Sequence, residues 1–526
     1  MPFSYATQAR MSNILHDCRF NGGISASGQS AGFGGNLFTR DTLRVLRDVM
    51  GIPGYQSFIR EMMGILPQWQ GTREDPATNE FPDALSHQVF RSVVGGRYLP
   101  SRQVNDMRSY AHEWNIPMTS IAGGGEQLVI YNSSDGPLLY LITLGEYIQT
   151  YNDASILQDR FHHHATGITR TIGEAAGKCI SYIRQAIAES PNGLYSVPNT
   201  NPRQTSPSGV MRDGSDAYVR SDGSSIDYER AAYIENQALA HHALDLAAHV
   251  VFPDHAKAPV WLTVAHNLRD ATIEQFWIPQ HSFFAAAIDR YGQVDMLSSA
   301  VFELLDSPFF LELKEGNEHV ENLVRALYNQ DTFMTPIGAR MVSLEQTYLE
   351  GVEYYAYQGS GAVWPVTNGI IANGLRRWGL NRLAHDLGHR RLVGGVERSR
   401  QACELIHVHR ETNRPLYVSD QIPSSSTEQL VVYPSDRGQL NQAWTASAAL
   451  RQLHYAQERP RMAYSRDLQK LDDDIGAMIV RDKILTPLES DGRKSPKIVC
   501  DFEEGAKQKK KRARQLQNTA VQPRRV

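Results

Sequence analysis

An all-α fold, a closed ring of helical hairpins with long loops gathered at one end, is what this sequence predicts. Two observations carry the prediction. Apolar residues recur at three- and four-residue steps through most of the chain from Asp41 to about Val480. Between these stretches short connections alternate with long polar ones rich in Gly, Pro, Ser and Asn. No alternation of β and α patterns, which a parallel-sheet barrel requires, accompanies them.

Taken in order, the helical stretches are 42–51, 139–150, 167–189, 228–250, 283–305, 318–328, 367–387, 396–411 and 441–458. The stretch 228–250 shows the period well: Ile234, Ala238, Leu239, Ala243, Leu246, Ala247 and Val250 fall on one stripe. The longest connections are 190–226 and 415–440, and loops of that length in a compact domain are usually functional. Residues 1–40 form a glycine-rich lead-in (Gly22, Gly23, Gly28, Gly32, Gly34, Gly35), residues 41–483 the helical ring, and residues 484–526 a basic tail. No fixed-period repeat of the solenoid kind is present in the sequence.

The chain has 526 residues, 41% of them hydrophobic, enough for a large buried core. No apolar run approaches the roughly eighteen residues that a membrane helix needs, so no membrane partner is expected. Cys18, Cys179, Cys403 and Cys500 lie far apart with no Cys-x-x-Cys pair. That pattern points to a reducing, cytoplasmic setting rather than a disulfide frame or a zinc knuckle. The net charge of −4 is uneven: Gly505–Val526 carries eight Lys or Arg and no acid, which leaves −12 on the rest. A basic arm can bind nucleic acid, but an acidic body repels phosphate, and a solvated terminus is the reading favoured here.

Two loop segments carry the chemistry. One is Met211-Arg212-Asp213-Gly214-Ser215-Asp216, followed by Asp222-Gly223 and a helix opening Tyr233-Ile234-Glu235-Asn236-Gln237. The other holds Glu428, five residues before Tyr433-Pro434 and sixteen before Trp444. Glycoside hydrolysis needs one carboxylic acid to protonate the leaving oxygen and a second carboxylate acting from the opposite face. Two loop-borne carboxylates, far apart in sequence and each ahead of a helix, can meet across a pit. Asp-Gly-Ser-Asp is equally a good turn sequence whose side chains bond their own backbone, and Glu428 could serve as an exposed loop residue or a cap.

These segments, with others in the same order, resemble the amylo-α-1,6-glucosidase (glycogen-debranching) type of (α/α)6 six-hairpin glycosidase, a group related to mannosylglycerate hydrolases and processing α-glucosidases. Phe38-Thr39-Arg40-Asp41 resembles the Arg-Asp element of the terminal subsite. Residues 81–88 and Asp135-Gly136-Pro137-Leu138-Leu139-Tyr140 are similar to its Pro-Gly-x-x-x-His-Glu and Asp-x-x-Pro-Leu-Phe stretches. Arg212-Asp213-Gly214-Ser215-Asp216, then Asp222-Gly223, then Glu235-x-Gln237 resembles the series carrying the general acid. Phe284–Asp289 is similar to its aromatic-Ala-x-Ala-x-Asp element, and Tyr357–Val366 to its Tyr-x-x-Gly-x-Val-Trp-Pro signature. Glu428, Tyr433-Pro434 and Trp444-Thr445-Ala446 resemble the run carrying the general base. A Trp usually precedes the acid, where this chain has Met211-Arg212, and the base segment lacks a Pro-Glu-Leu form.

The resemblance implies an (α/α)6 toroid and an inverting hydrolase acting on a terminal α-linked sugar, with an α-1,6-linked glucose of a glycogen-like oligosaccharide first among substrates. Another α-glucoside or α-mannoside, or a carbohydrate-binding toroid without turnover, is the alternative. It implies Asp213 as acid, with Asp216 its rival, and Glu428 as base. Arg40, Asp41, Asp216, Glu235, Gln237, Trp364 and Trp444 then bind substrate. No cofactor or metal is expected: two carboxylates suffice, and adjacent histidines such as His162-His163-His164 and His241-His242 point to different faces. Gly28-Gln29-Ser30-Ala31-Gly32 matches a Gly-x-Ser-x-Gly nucleophile elbow, but it sits among glycines without the strand and helix that motif needs.

Overall fold

The computed structural model describes residues 5–20, 23–27, 36–72, 83–94, 97–98, 101–114, 116, 118–120, 125–164, 166–198, 209–212, 217–345, 354–399, 401–416, 421–422, 430–431, 440–458 and 462–481. Its α-helices in order are α1 (Tyr5–Asp17), α2 (Thr39–Val49), α3 (Gln56–Ile65), α4 (Ser101–Trp114), α5 (Gly136–Tyr151), α6 (Ile172–Ala188), α7 (Ile234–Leu246), α8 (Ala258–Phe276), α9 (Gly316–Leu327), α10 (Pro365–Arg377), α11 (Asn381–Ala384), α12 (Gly394–Ser399), α13 (Ala443–Tyr455) and α14 (Arg466–Arg481). A 3-10 helix, Ser299–Asp306, lies between α8 and α9, and π-helical turns run over Ala247–Val251 and His385–Val393.

Six of these elements form an inner succession. Helix α2 packs on α5, α5 on α7, α7 on the 3-10 helix, the 3-10 helix on α10, α10 on α13, and α13 back on α2. Outside them α3 and α6 lie on α5, α8 lies on α7, and α1 lies on α13. The inner helices are buried almost all round: in α5 every residue from Gly136 to Gly145 is buried, and in α7 every residue from Ile234 to Leu244. A helix without a polar stripe belongs in the interior of a large protein. Small residues bring these helices close. A Cβ on Gly145 of α5 would stand 2.9 Å from Leu246 Cβ of α7, and one on Gly369 of α10 would stand 2.9 Å from Ala448 Cβ of α13.

Short antiparallel strands, absent from the all-α expectation, cluster where the inner helices begin. Leu37–Phe38 precedes α2 and is the edge of a four-stranded sheet continued by Gln88–Arg91, Glu126–Ile130 and Thr119–Ser120. Its Phe90, Leu128 and Ile130 share a small core with Met107 and Ala111 of α4. Ala232–Tyr233 precedes α7 and pairs with Ala287–Asp289, which pairs in turn with Gly292–Val294. Ala362–Val363 precedes α10 and pairs with Ile406–His407.

Two predicted helices are therefore corrected. Within 283–305 the chain forms strands at Phe283–Phe284, Ala287–Asp289 and Gly292–Val294, and turns helical only at Ser299. Within 396–411 the helix stops at Ser399 and Ile406–His407 is a strand. In both stretches short apolar runs buried on all sides mimic a helical stripe, and cross-strand pairing overrides it. The lead-in holds α1 and the strand pair Arg19–Phe20 with Gly23–Ile24. Residues 482–526 lie outside the described residues. No described helix is long and apolar enough to cross a membrane.

Candidate active site

All six inner elements begin at the same end of the succession, and the predicted site residues lie on those beginnings. Arg40 and Asp41 are in the first turn of α2, Asp135 caps α5, Glu235 and Gln237 open α7, Trp364 caps α10, and Trp444 is in the first turn of α13. Helix N-termini present unpaired N–H groups and the positive end of the helix dipole. Gathered in one place, they favour ionised carboxylates and oxygen-rich ligands.

Arg40 is fixed by its partners. Its Nε donates to Asp135 Oδ2 at 2.5 Å, and its Nη2 donates to Ser133 Oγ at 3.3 Å and to the Gly209 carbonyl at 3.1 Å. Ser133 also donates its hydroxyl to Asp135. Against the burial that would raise it, the Arg40 guanidinium holds the Asp135 carboxyl below the usual range. Burial pushes Asp41 the other way, up to about 7, opposed by Arg40 and helped by the nearby charge of Glu404. His87, close to both Arg40 and Asp135, is held neutral: burial first and Arg40 second lower it to about 3.

Glu404 is the residue that sequence reading missed. It is 7% exposed, electrostatically coupled to Asp41, and accepts a hydrogen bond from the Tyr357 hydroxyl. A signal existed: Glu404 is the one charged residue in Ala402-Cys403-Glu404-Leu405-Ile406. A charge enclosed by apolar neighbours is retained only with partners. It stands two residues before the strand Ile406–His407, which pairs with Ala362–Val363, and Tyr357 bonds both to it and to Trp364.

Glu235, 3% exposed, accepts from Tyr218 Oη at 2.7 Å and from Arg212 Nη1 at 3.4 Å. Burial raises its pKa, with Arg212 opposing. The Gln237 amide is engaged by backbone: Oε1 accepts from Tyr195 N at 2.8 Å, and Nε2 donates to the Tyr195 and Tyr233 carbonyls at 2.9 Å. It ties the start of loop 190–226 to α7. Trp364 is 1% exposed, with its Nε1 on the Tyr357 carbonyl at 3.3 Å and its ring against Tyr357 and Trp444 at 5.1 and 5.7 Å. In this conformation its faces are covered by protein. Trp444 is buried with it, and its Nε1 has no hydrogen-bond partner among the described residues.

Asp213, Asp216 and Glu428 lie outside the described residues, as does Ser30. Arg212 and Tyr218, on either side of 213–216, are described, and both meet Glu235. Among the described residues no group of three or more His, Cys, Asp or Glu is placed to hold a metal ion. His163 is engaged by the Gln70 carbonyl and Thr166, and His241 and His242 are buried and held neutral, chiefly by desolvation.

Residues 157–406 match the family model described as the mannosylglycerate hydrolase MGH1-like glycoside hydrolase domain. Among solved structures, the GH63 mannosylglycerate hydrolase from Thermus thermophilus in complex with glucose is 13% identical. The alignment covers 85% of this chain and 99% of that one, with a TM-score of 0.55. The same enzyme in complex with Tris and D-glycerate is 12% identical over the same shares, also with a TM-score of 0.55. At such identities the likeness is one of fold. No curated protein matches the chain. With the MGH1-like domain across 157–406 and this shared architecture, the chain is a glycoside hydrolase, related in fold to the six-hairpin glycosidases.

Proposed function

We propose that this hydrolase releases a terminal α-linked glucose or mannose from a small glycoside with inversion of configuration, in the pit of an (α/α)6 toroid formed by the closed succession of inner helices. The observation that carries the reading is the MGH1-like domain match, which spans Asp213, Glu235, Trp364 and Glu404. It favours a small α-glucoside or α-mannoside over the α-1,6-linked glucose of a glycogen-like oligosaccharide. Asp213 protonates the glycosidic oxygen as the bond to the anomeric carbon breaks. Glu428 takes a proton from the water that attacks the opposite face, and the released sugar carries the β configuration. Arg40 and Asp41, with Asp216, position the terminal sugar, the Arg40–Asp135 pair keeping α2 in register with α5.

A second reading gives the water-activating role to Glu404. Its burial beside Asp41 and its bond from Tyr357 favour it, and Glu428 falls beyond the matched domain.

Proton NMR of the anomeric signals decides these points. Purified protein is incubated with α-mannosylglycerate, α-glucosylglycerate and an α-1,6-branched limit dextrin. Early β-anomer from a glycerate glycoside and none from the dextrin is the expected outcome. Early α-anomer overturns inversion. The base loses roughly 10²–10⁴-fold in rate on conversion to the amide, so comparing Glu428→Gln with Glu404→Gln assigns it.

A further inference from the structure

Glu404 is held from two sides, each by a segment at the beginning of an inner helix. On the α10 side the Tyr357 hydroxyl donates to Glu404 Oε1. Tyr357 is itself held in place. Its carbonyl accepts from Trp364 Nε1 at 3.3 Å, and its ring stands edge-on to Trp364 at 5.1 Å, with Trp364 packed in turn on Trp444. The turn that carries Tyr357 is closed by Gly361 N on the Tyr354 carbonyl at 2.7 Å and by Gly359 N on the Ala356 carbonyl at 3.1 Å. His407 Nε2 donates to that same Ala356 carbonyl at 3.0 Å, which ties the turn to the strand just beyond Glu404. On the α13 side the chain before Glu404 is gripped twice. Gln442 N donates to the Ala402 carbonyl at 2.8 Å, and Thr445 Oγ1 to the Cys403 carbonyl at 2.9 Å. The start of α13 thus holds the backbone that leads into Glu404, while Tyr357 holds its carboxylate.

We infer that Tyr357 is a positioning residue: through its hydroxyl it fixes the plane of the Glu404 carboxylate, so that Glu404 meets the attacking water in an orientation that accepts its proton. This rests on the reading in which Glu404, rather than Glu428, activates that water. In that step the water oxygen bonds the anomeric carbon as the bond to the leaving group breaks, and the proton lost by the water passes to Glu404. Burial and a neighbouring like charge favour the protonated form of a carboxylate, in which it cannot act as a base. Glu404 is enclosed and its charge interacts with that of Asp41, and a hydroxyl donating to Glu404 opposes both effects. Misplacing a reacting group by about 1 Å costs on the order of 10²-fold in rate, which sets the upper size of the effect.

The test measures Tyr357→Phe, Glu404→Gln and the double variant on α-glucosyl and α-mannosyl fluoride. Fluoride leaves with little help from an acid, so the rate reports the attack of water. The phenylalanine variant keeps the ring against Trp364 and loses only the hydroxyl, and thermal melting of each variant separates loss of rate from loss of fold. Tyr357→Phe is expected to lose about 10- to 100-fold in kcat with KM within about twofold of wild type. The double variant is expected to match Glu404→Gln within about twofold, because a residue that acts through Glu404 then has nothing left to act on. Losses that multiply in the double variant, or a raised KM with unchanged kcat, overturn the inference and leave Tyr357 a fold support or a sugar ligand. If Glu404→Gln keeps wild-type activity, the base reading falls and takes the inference with it. If Glu404→Gln is inactive while Tyr357→Phe matches wild type, only the positioning role falls. Wild-type protein inert toward both fluorides overturns the hydrolytic reading itself.

Discussion

Asp41 is enclosed by protein in the first turn of α2, and the guanidinium of the preceding residue, Arg40, is bonded to Asp135. Burial therefore dominates and carries its pKa to about 7. A carboxyl whose folded pKa lies above its unfolded value near 3.9 binds more protons in the folded state between those two pH values. Stability then falls as pH rises from about 4 to about 7, and the cost is complete above that window. Asp41→Asn removes it. Urea unfolding across this range is expected to show the variant gaining on wild type with rising pH and the difference levelling above pH of about 7. Parallel curves would mean that Asp41 titrates as an ordinary carboxylate. The depressed histidines, such as His87 and His241, act in the opposite sense, but they are common to both proteins and cancel in the difference.

The helices that build the site are placed by close approach more than by propensity. A Cβ on Gly374 of α10 would stand 2.7 Å from the carbonyl carbon of Leu305 and 2.9 Å from the Asp306 nitrogen, both backbone atoms of the 3-10 helix. Backbone cannot swing aside as a side chain can. Gly374→Ala is expected to destabilise by about 1–3 kcal/mol through overpacking, although alanine favours the helix by about 1 kcal/mol. Gly177 in the middle of α6 is the control, since a Cβ there meets nothing within 4 Å. Gly177→Ala is expected to stabilise by about 0.5–1 kcal/mol. Chemical denaturation of the two variants checks both signs. Periodicity placed α2, α5, α9 and α13 within about three residues at each end, began α6 and α7 about five or six residues early, and ran α10 about ten residues past its end at Arg377. It failed at 283–305 and 396–411, where the chain enters the small sheets that hand each strand to an inner helix. A strand of two or three buried residues has no period long enough to read.

Across the whole molecule the inner succession is organised in two tiers of charge. At the end where the helices begin stand Arg40–Asp135 and Arg212–Glu235. Between the tiers Arg44 and Glu303 form a bidentate pair at 2.8 and 3.0 Å, 259 residues apart in sequence and both enclosed. At the far end Arg47 joins Glu146 and Asp306, with Arg377 close to both. Those acids hold the Arg47 guanidinium well above its usual pKa against the cost of burial. Cations suit this end because the helices finish there, with their carbonyls unpaired. Breaking the middle pair on one side strands a buried charge. Arg44→Met and Glu303→Leu singly are each expected to cost about 3–5 kcal/mol, while the double variant, which removes both charges, lies close to wild type or above it. A double-mutant cycle from urea denaturation measures this, and additive losses would show the two side chains to be independent.

The sequence by itself determined the predominance of helix and the positions of several inner helices, because period is a local property, and the resemblance of its motifs gave the enzyme class; α1, α3, α4, α8 and α14 fell outside the stretches it marked. It placed Arg40, Asp41, Glu235, Trp364 and Trp444 at helix beginnings, where the structure has them. Only the tertiary structure decided what those side chains do. Gln237 grips the backbone of Tyr195, Trp364 is enclosed with its ring against Tyr357 and Trp444, and Glu404 comes close enough to Asp41 for their charges to interact. Each of these depends on which residue a fold brings within a few ångströms of another across hundreds of positions. Burial and pairing, which set the charge and reach of a carboxylate, are properties of that assembled neighbourhood and have no signature in the local sequence.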